Sequence, residues 1–192
     1  MAIELIGIAG YARAGKDTMA EYISMRYGFK KTAYADPIRK ALIALNPNVI
    51  VSHPETGEQA RMPLELAVFS FGWEQLKSLS PDVRPLLQNM GSEVGREFFG
   101  KDLWVNRLFL DNVGERKLVI SDVRYWNEAQ NIRKRGGEVW LVERVDGHPA
   151  NGHSSESDLV GYEFDRLFFN EGNLDHLYDQ IDMALALEGE EM

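Results

Sequence analysis

A short stretch near the start of the chain combines glycine, lysine and oxygen-bearing side chains at a spacing suited to phosphate chemistry. Residues 10–18 read GYARAGKDT, with Gly15 directly before Lys16. Backbone N–H groups of such a loop wrap a polyphosphate, and a lysine at this position reaches the β- and γ-phosphates. We therefore expect a nucleoside triphosphate to be bound by Gly10, Ala12, Arg13, Ala14, Gly15, Lys16, Asp17 and Thr18.

One position of this loop departs from the usual pattern. Asp17 stands where a serine or threonine hydroxyl normally contacts Mg²⁺, and Thr18 follows it. A carboxylate is also a good ligand for Mg²⁺, directly or through water. Alternatively, Asp17 complements the helix dipole in the first turn without touching a metal. The sequence leaves both roles open.

The elements around the loop have the order that phosphate binding requires. Residues 3–8 predict a short buried strand before it, and residues 18–25 predict a helix after it, whose N-terminus favours a bound anion. Residues 29–34 then predict a second strand. Asp36 and Pro37 predict the N-cap and first position of a helix that continues to about Leu45.

The middle of the chain, residues 46–114, predicts a mainly helical insertion. No central strand is convincing in this region, and turn signals occur at residues 46–48 and 54–57. Helical periodicity is visible in four segments, which are residues 64–71, 81–90, 92–98 and 102–110.

Alternation of strands and helices resumes after residue 114. Strands are predicted at residues 117–121, 138–143 and 166–170, and helices at residues 126–134 and 173–187. Such alternation implies an α/β fold with a parallel sheet and right-handed crossovers. The polar, glycine-containing residues 146–158 suit a lid, which we assign to residues 144–160.

Composition limits the classes of function. The chain has 192 residues, a net charge of −9 and no cysteine, so disulfides, thiol catalysis and cysteine-ligated zinc are excluded. The 30 acidic residues outnumber the 21 basic residues, which argues against extended binding to nucleic acid. No apolar run approaches the roughly 20 residues of a membrane span. We expect a cytoplasmic protein with no nucleic-acid or membrane partner.

Several motifs in a fixed order resemble the deoxynucleoside monophosphate kinases of bacteriophages, and the resemblance spans nearly the whole chain. The motifs are residues 10–18, 34–40 (YADPIRK), 87–91 (LQNMG) with Arg96, 102–104 (DLW), 120–124 (ISDVR) and 170–172 (NEG). The resemblance implies a three-layer α/β/α P-loop kinase fold in one domain, with residues 46–114 binding the acceptor. It also implies transfer of the γ-phosphoryl group of ATP to a deoxynucleoside monophosphate with Mg²⁺. For a phage-encoded protein the compartment would be the host cytoplasm.

The residue types fit that chemistry. Arg13 in the loop and Arg124, just past a strand end, are candidates to offset repulsion between donor and acceptor anions. Asp122 lies where a carboxylate can hold Mg²⁺ through water, or alternatively caps the next helix. Arg144 ends a strand beside the expected lid and is a candidate to touch the transferring phosphoryl group.

The acceptor would be bound mainly by the helical insertion. Arg84 and Gln88 are four residues apart, hence on one helix face, where they present a guanidinium and an amide; a solvated polar face is the alternative. By resemblance, Gln88 reads the base and Arg96 binds the phosphate. Asp36, Arg39, Trp104 and Arg124 complete the expected acceptor set. Asn170 and Gly172 resemble the turn whose backbone contacts the donor adenine.

Two other functions remain open at this stage. The chain could be another small P-loop kinase, acting on dephospho-coenzyme A or phosphomevalonate, although Gln88 and the long insertion favour a nucleotide acceptor. It could also be a nucleotide-binding regulatory module that does not catalyse transfer. The base preference, the preference for deoxyribose and the formation of a homodimer are not determined by the sequence.

Overall fold

A computed structural model describes residues 3–144 and 158–186. The chain divides into two compact units. We call Met1–Tyr34 with Asn112–Met192 the sheet unit, and Ala35–Asp111 the helical unit. In chain order the elements are β1 (Leu5–Ala9), α1 (Lys16–Tyr27), β2 (Lys30–Thr32), α2 (Ala35–Leu45), β3 (Asn48–Ser52), β4 (Gln59–Pro63), α3 (Leu64–Leu79), α4 (Val83–Gln88), a π-helix (Asn89–Phe98), α5 (Leu103–Asp111), β5 (Leu118–Ile120), α6 (Trp126–Lys134), β6 (Glu138–Arg144), β7 (Arg166–Asn170) and α7 (Leu174–Ala186).

The sheet unit is built on five parallel strands in the order β2-β5-β1-β6-β7. The central strand β1 is buried at every residue, as its unbroken apolar sequence predicts for a strand covered on both faces. Because parallel strands end at the same edge, the segments that follow β1 and β5 lie together. This edge therefore carries residues 10–18, which we call the phosphate loop after their predicted role, and the stretch from Asp122 to Arg124.

Helices cover both faces of this sheet. On one face, Ile6 and Ile8 pack with Met19 of α1 and Leu177 of α7 in a continuous core. On the other face, α6 packs so closely that a Cβ on Gly7 would collide with Ile132. Successive residues of β1 therefore face different helix layers. The three-layer α/β/α arrangement and the parallel sheet predicted from the sequence are confirmed.

The helical unit has its own core. Leu42 of α2, Val49 and Val51 of β3, Leu64 of α3 and Val83 of α4 are buried against one another. The unit runs from Ala35 to Asp111, so it includes α2, which lies outside the predicted insertion of residues 46–114.

Local structure in the helical unit departs from the sequence expectations in four places. The helix expected at residues 64–71 continues to Leu79, with a non-helical backbone at Gly72. The antiparallel hairpin of β3 and β4 was not predicted, although its tight turn was. The helix expected at residues 81–90 ends at Gln88 and passes directly into the ten-residue π-helix. Asp36 is not an N-cap, because α2 already begins at Ala35 and Asp36 lies in its first turn.

Among the described residues, no helix combines the length and the apolar character needed to cross a membrane.

Candidate active site

The phosphate loop connects β1 to α1 with a strained, glycine-dependent backbone. The Ala14 N–H donates to the Tyr11 carbonyl at 3.2 Å, and Gly15 caps α1 with φ of 112°. Arg13 also has a positive φ, 65°, which is uncommon for a residue with a side chain. Strain of this kind persists where the surrounding structure enforces it and is frequent at ligand-binding loops.

Lys16 is the first residue of α1, and its side chain turns back over the loop. The Lys16 ammonium donates to the Gly10 carbonyl at 2.6 Å and to the Tyr11 carbonyl at 2.8 Å. The charge is thus held directly beside the loop backbone. An ammonium has three donors in no fixed plane, so a phosphate oxygen can replace either carbonyl as its partner.

A cavity of about 190 Å³ opens on the phosphate loop. Lys16 and Arg124 both line it, together with Glu143 at the end of β6. The predicted donor lysine and the predicted transfer arginine therefore face one space. The lining comprises Ala9, Gly10, Tyr11, Ala12, Lys16, Val123, Arg124, Leu141, Glu143, Leu159, Val160 and Phe164.

The backbone at Arg124 is fixed by a residue that the sequence reading missed. Glu128 is 5% exposed, and its carboxylate accepts the Arg124 N–H at 2.8 Å and the Tyr125 N–H at 3.1 Å. This is the glutamate half of a capping box at the start of α6. The signal was present, a glutamate three residues after the cap, but the cap is a tyrosine rather than the usual serine or threonine.

Asp122 is hydrogen-bonded to the turn that follows β2. Its Oδ1 accepts the Tyr34 N–H at 2.6 Å. The alternative that Asp122 caps α6 is wrong, because α6 begins at Trp126 after Tyr125. Burial raises the pKa of the Tyr34 hydroxyl well above its ordinary value.

Asp17 carries an exposed carboxylate in the first turn of α1. Its side chain is 81% exposed and lies 3.3 Å from the Lys31 ammonium, which is also 3.3 Å from Glu21. Ion pairs this exposed are weak, so the carboxylate can exchange Lys31 for another cation. Among the residues that the structure describes, no three His, Asp or Glu side chains cluster as a ready-made metal site.

The turn after β7 contacts the phosphate loop through a side chain. Asn170 donates to the Ala14 carbonyl at 2.9 Å and accepts the Gly172 N–H at 3.0 Å. Arg144 is exposed and lies opposite Asn170 in the β6–β7 register. Most of the predicted lid, residues 145–157, lies outside the described residues.

In the helical unit, Arg84 and Gln88 line one cavity of about 600 Å³. Both are exposed, as the shared helix face predicts. The Arg84 Nε donates to the Lys77 carbonyl at 3.1 Å, so one of its donors serves the unit itself. The remaining lining is largely polar and includes Ser52, Gln59, Lys77, Ser78 and Ser80.

Other expected acceptor residues are engaged within the same unit. Arg39 pairs with Asp36 at 3.4 Å and Glu74 at 3.2 Å, while its buried Nε has no hydrogen-bond partner among the described residues. The Trp104 indole donates to the Gly91 carbonyl at 2.9 Å and packs on Gly95, where a Cβ would collide with the ring. Arg96 is half-buried in the π-helix. Packing therefore accounts for Trp104, whose contact with an acceptor stays a prediction.

The parallel sheet with a phosphate loop after its first strand is the architecture of P-loop kinases. The crystal structure of shikimate kinase from Aquifex aeolicus superposes with a TM-score of 0.53 at 13% identity, covering 98% of this chain and 99% of that chain. At that identity the likeness concerns the fold alone.

Sequence comparison identifies the family to which the chain belongs among the P-loop kinases. The family model described as "Deoxynucleotide monophosphate kinase" matches residues 73–181. A relative from Acanthamoeba polyphaga mimivirus is 30% identical, over 92% of this chain and 93% of the relative. The "Deoxynucleotide monophosphate kinase" of Escherichia phage RB69 is 26% identical, over 95% of this chain and all of the relative. The chain belongs to the deoxynucleotide monophosphate kinase family, which confirms the resemblance drawn from its motifs.

Proposed function

We propose that this protein transfers the γ-phosphoryl group of ATP to a deoxynucleoside monophosphate, giving ADP and a deoxynucleoside diphosphate. One observation carries the proposal: Lys16 of the phosphate loop and Arg124 line the same cavity, in a chain of this family. The donor polyphosphate and the acceptor phosphate are both anions, so cationic side chains must lie where the two meet.

The donor is proposed to bind at the phosphate loop. Backbone N–H groups of residues 10–18 would surround the phosphates, and the N-terminus of α1 adds its dipole. Lys16 would release the loop carbonyls and contact the β- and γ-phosphates. The turn from Asn170 to Gly172 would lie against the adenine.

Magnesium is proposed as the metal cofactor. Mg²⁺ keeps several waters and takes one or two carboxylates beside the phosphates, so it does not require a dedicated cluster of side chains. The exposed Asp17 carboxylate and the Asp122 carboxylate fit this requirement. When bound, Mg²⁺ would neutralise negative charge on the phosphates.

The transfer step needs alignment rather than a general base. The attacking atom is an oxygen of the acceptor phosphate, which is already anionic at neutral pH. It forms a bond to the γ-phosphorus as the bond to the bridging oxygen breaks and ADP leaves. Arg124, with its backbone fixed by Glu128, is proposed to hold the acceptor phosphate, while Arg13 and Arg144 neutralise charge on the moving group.

Acceptor selection is proposed to lie in the helical unit. The Gln88 amide both donates and accepts, so it can serve more than one base. Arg84 lines the same cavity, and the Arg39 guanidinium, beside Asp36 and Glu74, is a second candidate contact in this unit. Arg96 and Asp36 complete this set as phosphate and sugar contacts.

A substrate panel tests the function. The protein is incubated with ATP and Mg²⁺ plus each deoxynucleoside monophosphate, each ribonucleoside monophosphate, dephospho-coenzyme A or phosphomevalonate, and ADP formation is followed. We expect activity with more than one deoxynucleoside monophosphate. Activity with only a non-nucleotide acceptor would favour a different kinase, and no acceptor-dependent ADP would favour a regulatory module.

A further inference from the structure

Asn170 connects two parts of the donor site with one side chain. It is the last residue of β7 and is 6% exposed. Its amide nitrogen donates to the Ala14 carbonyl of the phosphate loop at 2.9 Å. Its amide oxygen accepts the Gly172 N–H at 3.0 Å, which closes the turn after β7. An asparagine is suited to this place because its side chain carries both a donor and an acceptor.

The loop is shaped to receive this amide. A Cβ on Gly15 would lie 2.7 Å from the Asn170 Nδ2, so only glycine allows the approach. In a trans peptide the C=O and the following N–H point in opposite directions. Holding the Ala14 carbonyl against Asn170 therefore aims the Gly15 N–H away from Asn170. That N–H belongs to the loop that wraps the phosphates.

The geometry points to Asn170 as a positioning residue, which acts through the phosphate loop by fixing the Ala14–Gly15 peptide and linking it to the turn of residues 170–172. This inference rests on the proposed function only in taking the loop as the polyphosphate site. The Asn170 side chain would not contact the nucleotide; it would set the orientation of a backbone donor that does.

Asn170→Asp removes one of the two Asn170 hydrogen bonds and keeps the other. Aspartate keeps an oxygen for the Gly172 N–H but places a second oxygen, instead of a donor, against the Ala14 carbonyl. Asn173→Asp is the matched control, because Asn173 is exposed in the same turn and its Oδ1 accepts the local Asp175 N–H at 3.0 Å. Asn170→Ser is the second variant. Serine adds no charge, and its side chain is too short to reach the Ala14 carbonyl.

The probe is inorganic tripolyphosphate, which tests the phosphate loop without a base or sugar, measured by calorimetric titration. We expect Asn170→Asp to weaken tripolyphosphate binding about tenfold or more, in line with a lost hydrogen bond and an unsatisfied carbonyl. ATP KM should rise similarly while acceptor KM changes less than about twofold, a split that general loss of packing would not produce. Asn173→Asp should bind as the wild type does.

The inference fails if tripolyphosphate binds equally to the wild type and to a folded Asn170 variant. Equal rises in ATP KM and acceptor KM would also overturn it. If Asn170→Asp does not fold, as judged by thermal melting, Asn170→Ser decides the question with the same titration. A wild type that binds tripolyphosphate and ATP but phosphorylates no deoxynucleoside monophosphate would refute the proposed function and leave this inference standing.

Discussion

The sheet unit and the helical unit hold their polar groups in different ways. In the sheet unit, the expected phosphate ligands are mostly backbone groups of one contiguous loop, joined by Lys16 and Arg124 on a common cavity. In the helical unit, the expected acceptor ligands are side chains on separate helices. Several of those side chains already serve their own unit, such as Arg39 with Glu74 and Arg84 with the Lys77 carbonyl.

This difference between the two units matches the difference between binding a polyphosphate and recognising a particular acceptor. A polyphosphate offers the same oxygens in every nucleotide, so a loop of backbone N–H groups beside a helix N-terminus is sufficient. An acceptor base differs from substrate to substrate, so side chains must be placed individually. Substitutions in the sheet unit should therefore reduce the transfer itself, whereas substitutions in the helical unit should change which acceptor is used and how well it binds.

The largest effect is expected from Lys16→Ala. Removing the ammonium beside the loop should lower kcat/KM by about 10³-fold or more, because this charge stabilises the transferring phosphoryl group. Steady-state kinetics with saturating acceptor measures it. Lys30→Ala is the control: Lys30 forms only an exposed ion pair with Glu115 at 2.9 Å and should change kcat/KM less than about twofold. Near-normal turnover of Lys16→Ala would exclude the loop as the donor site.

Arg124→Ala should have the next largest effect. Loss of one charge-assisted contact of about 2.7–4 kcal/mol reduces kcat/KM for the acceptor by about 10²–10³-fold. Arg124→Lys should retain part of the activity, since an ammonium keeps the charge but not the planar fork of a guanidinium. Arg116→Ala, at a side chain 88% exposed, should have almost no effect. A loss below about threefold in folded Arg124→Ala would remove Arg124 from the site.

Gln88→Ala tests the helical unit. We expect the acceptor KM to rise about fivefold to tenfold, as for one lost hydrogen bond, with the ATP KM nearly unchanged. KM values for both substrates, measured with each accepted deoxynucleoside monophosphate, give the comparison. Asn106→Ala, an exposed amide on α5, is the control and should change neither value. Equal changes in both KM values would place Gln88 outside acceptor recognition and weaken the contrast between the units.

Tyr27→Phe should change stability without changing catalysis. The hydroxyls of Tyr27 and Tyr22 both donate to Asp182, at 2.7 Å and 2.8 Å, and join α1 to α7. Losing one bond should cost about 1 kcal/mol of unfolding free energy at neutral pH. A variant with normal stability but reduced kcat/KM would show that this contact belongs to the site instead of its scaffold.

The same contact has a defined pH dependence. Burial, with the hydrogen bond to Asp182 and its negative charge, raises the pKa of Tyr27 to about 12. Above about pH 10 the unfolded chain loses this proton while the folded protein keeps it, so the stabilisation is complete below pH 10 and disappears towards pH 12. Denaturant unfolding of wild type and Tyr27→Phe at intervals over that range should therefore show a shrinking difference. A difference that grows with pH would contradict the assignment.

Much of the sheet unit could be predicted because its signals are local. Apolar runs and periodicity located β7 and α6, and the loop motif predicted a phosphate site between β1 and α1. The hairpin of the helical unit was missed because β4, with the sequence QARMP, is almost wholly exposed and lacks an alternating pattern. The π-helix was missed because its apolar spacing resembles that of an α-helix.

Tertiary contacts explain the remaining differences at the site. The Tyr34 N–H that binds Asp122 comes from the turn between β2 and α2, 88 residues away in sequence. The Asn170 contact with Ala14 spans 156 residues. The sequence reading selected both Asp122 and Asn170 from motifs, but only packing reveals what their side chains touch.

The reaction proposed for this protein moves a phosphoryl group from ATP to a deoxynucleoside monophosphate. Phosphorus NMR of a reaction containing ATP, Mg²⁺ and each of the four deoxynucleoside monophosphates in turn observes donor and acceptor together. For more than one of them, we expect the monophosphate resonance to be replaced by the two coupled resonances of a diphosphate as ADP forms. Conversion of ATP to ADP and inorganic phosphate, with every monophosphate resonance unchanged, would contradict it.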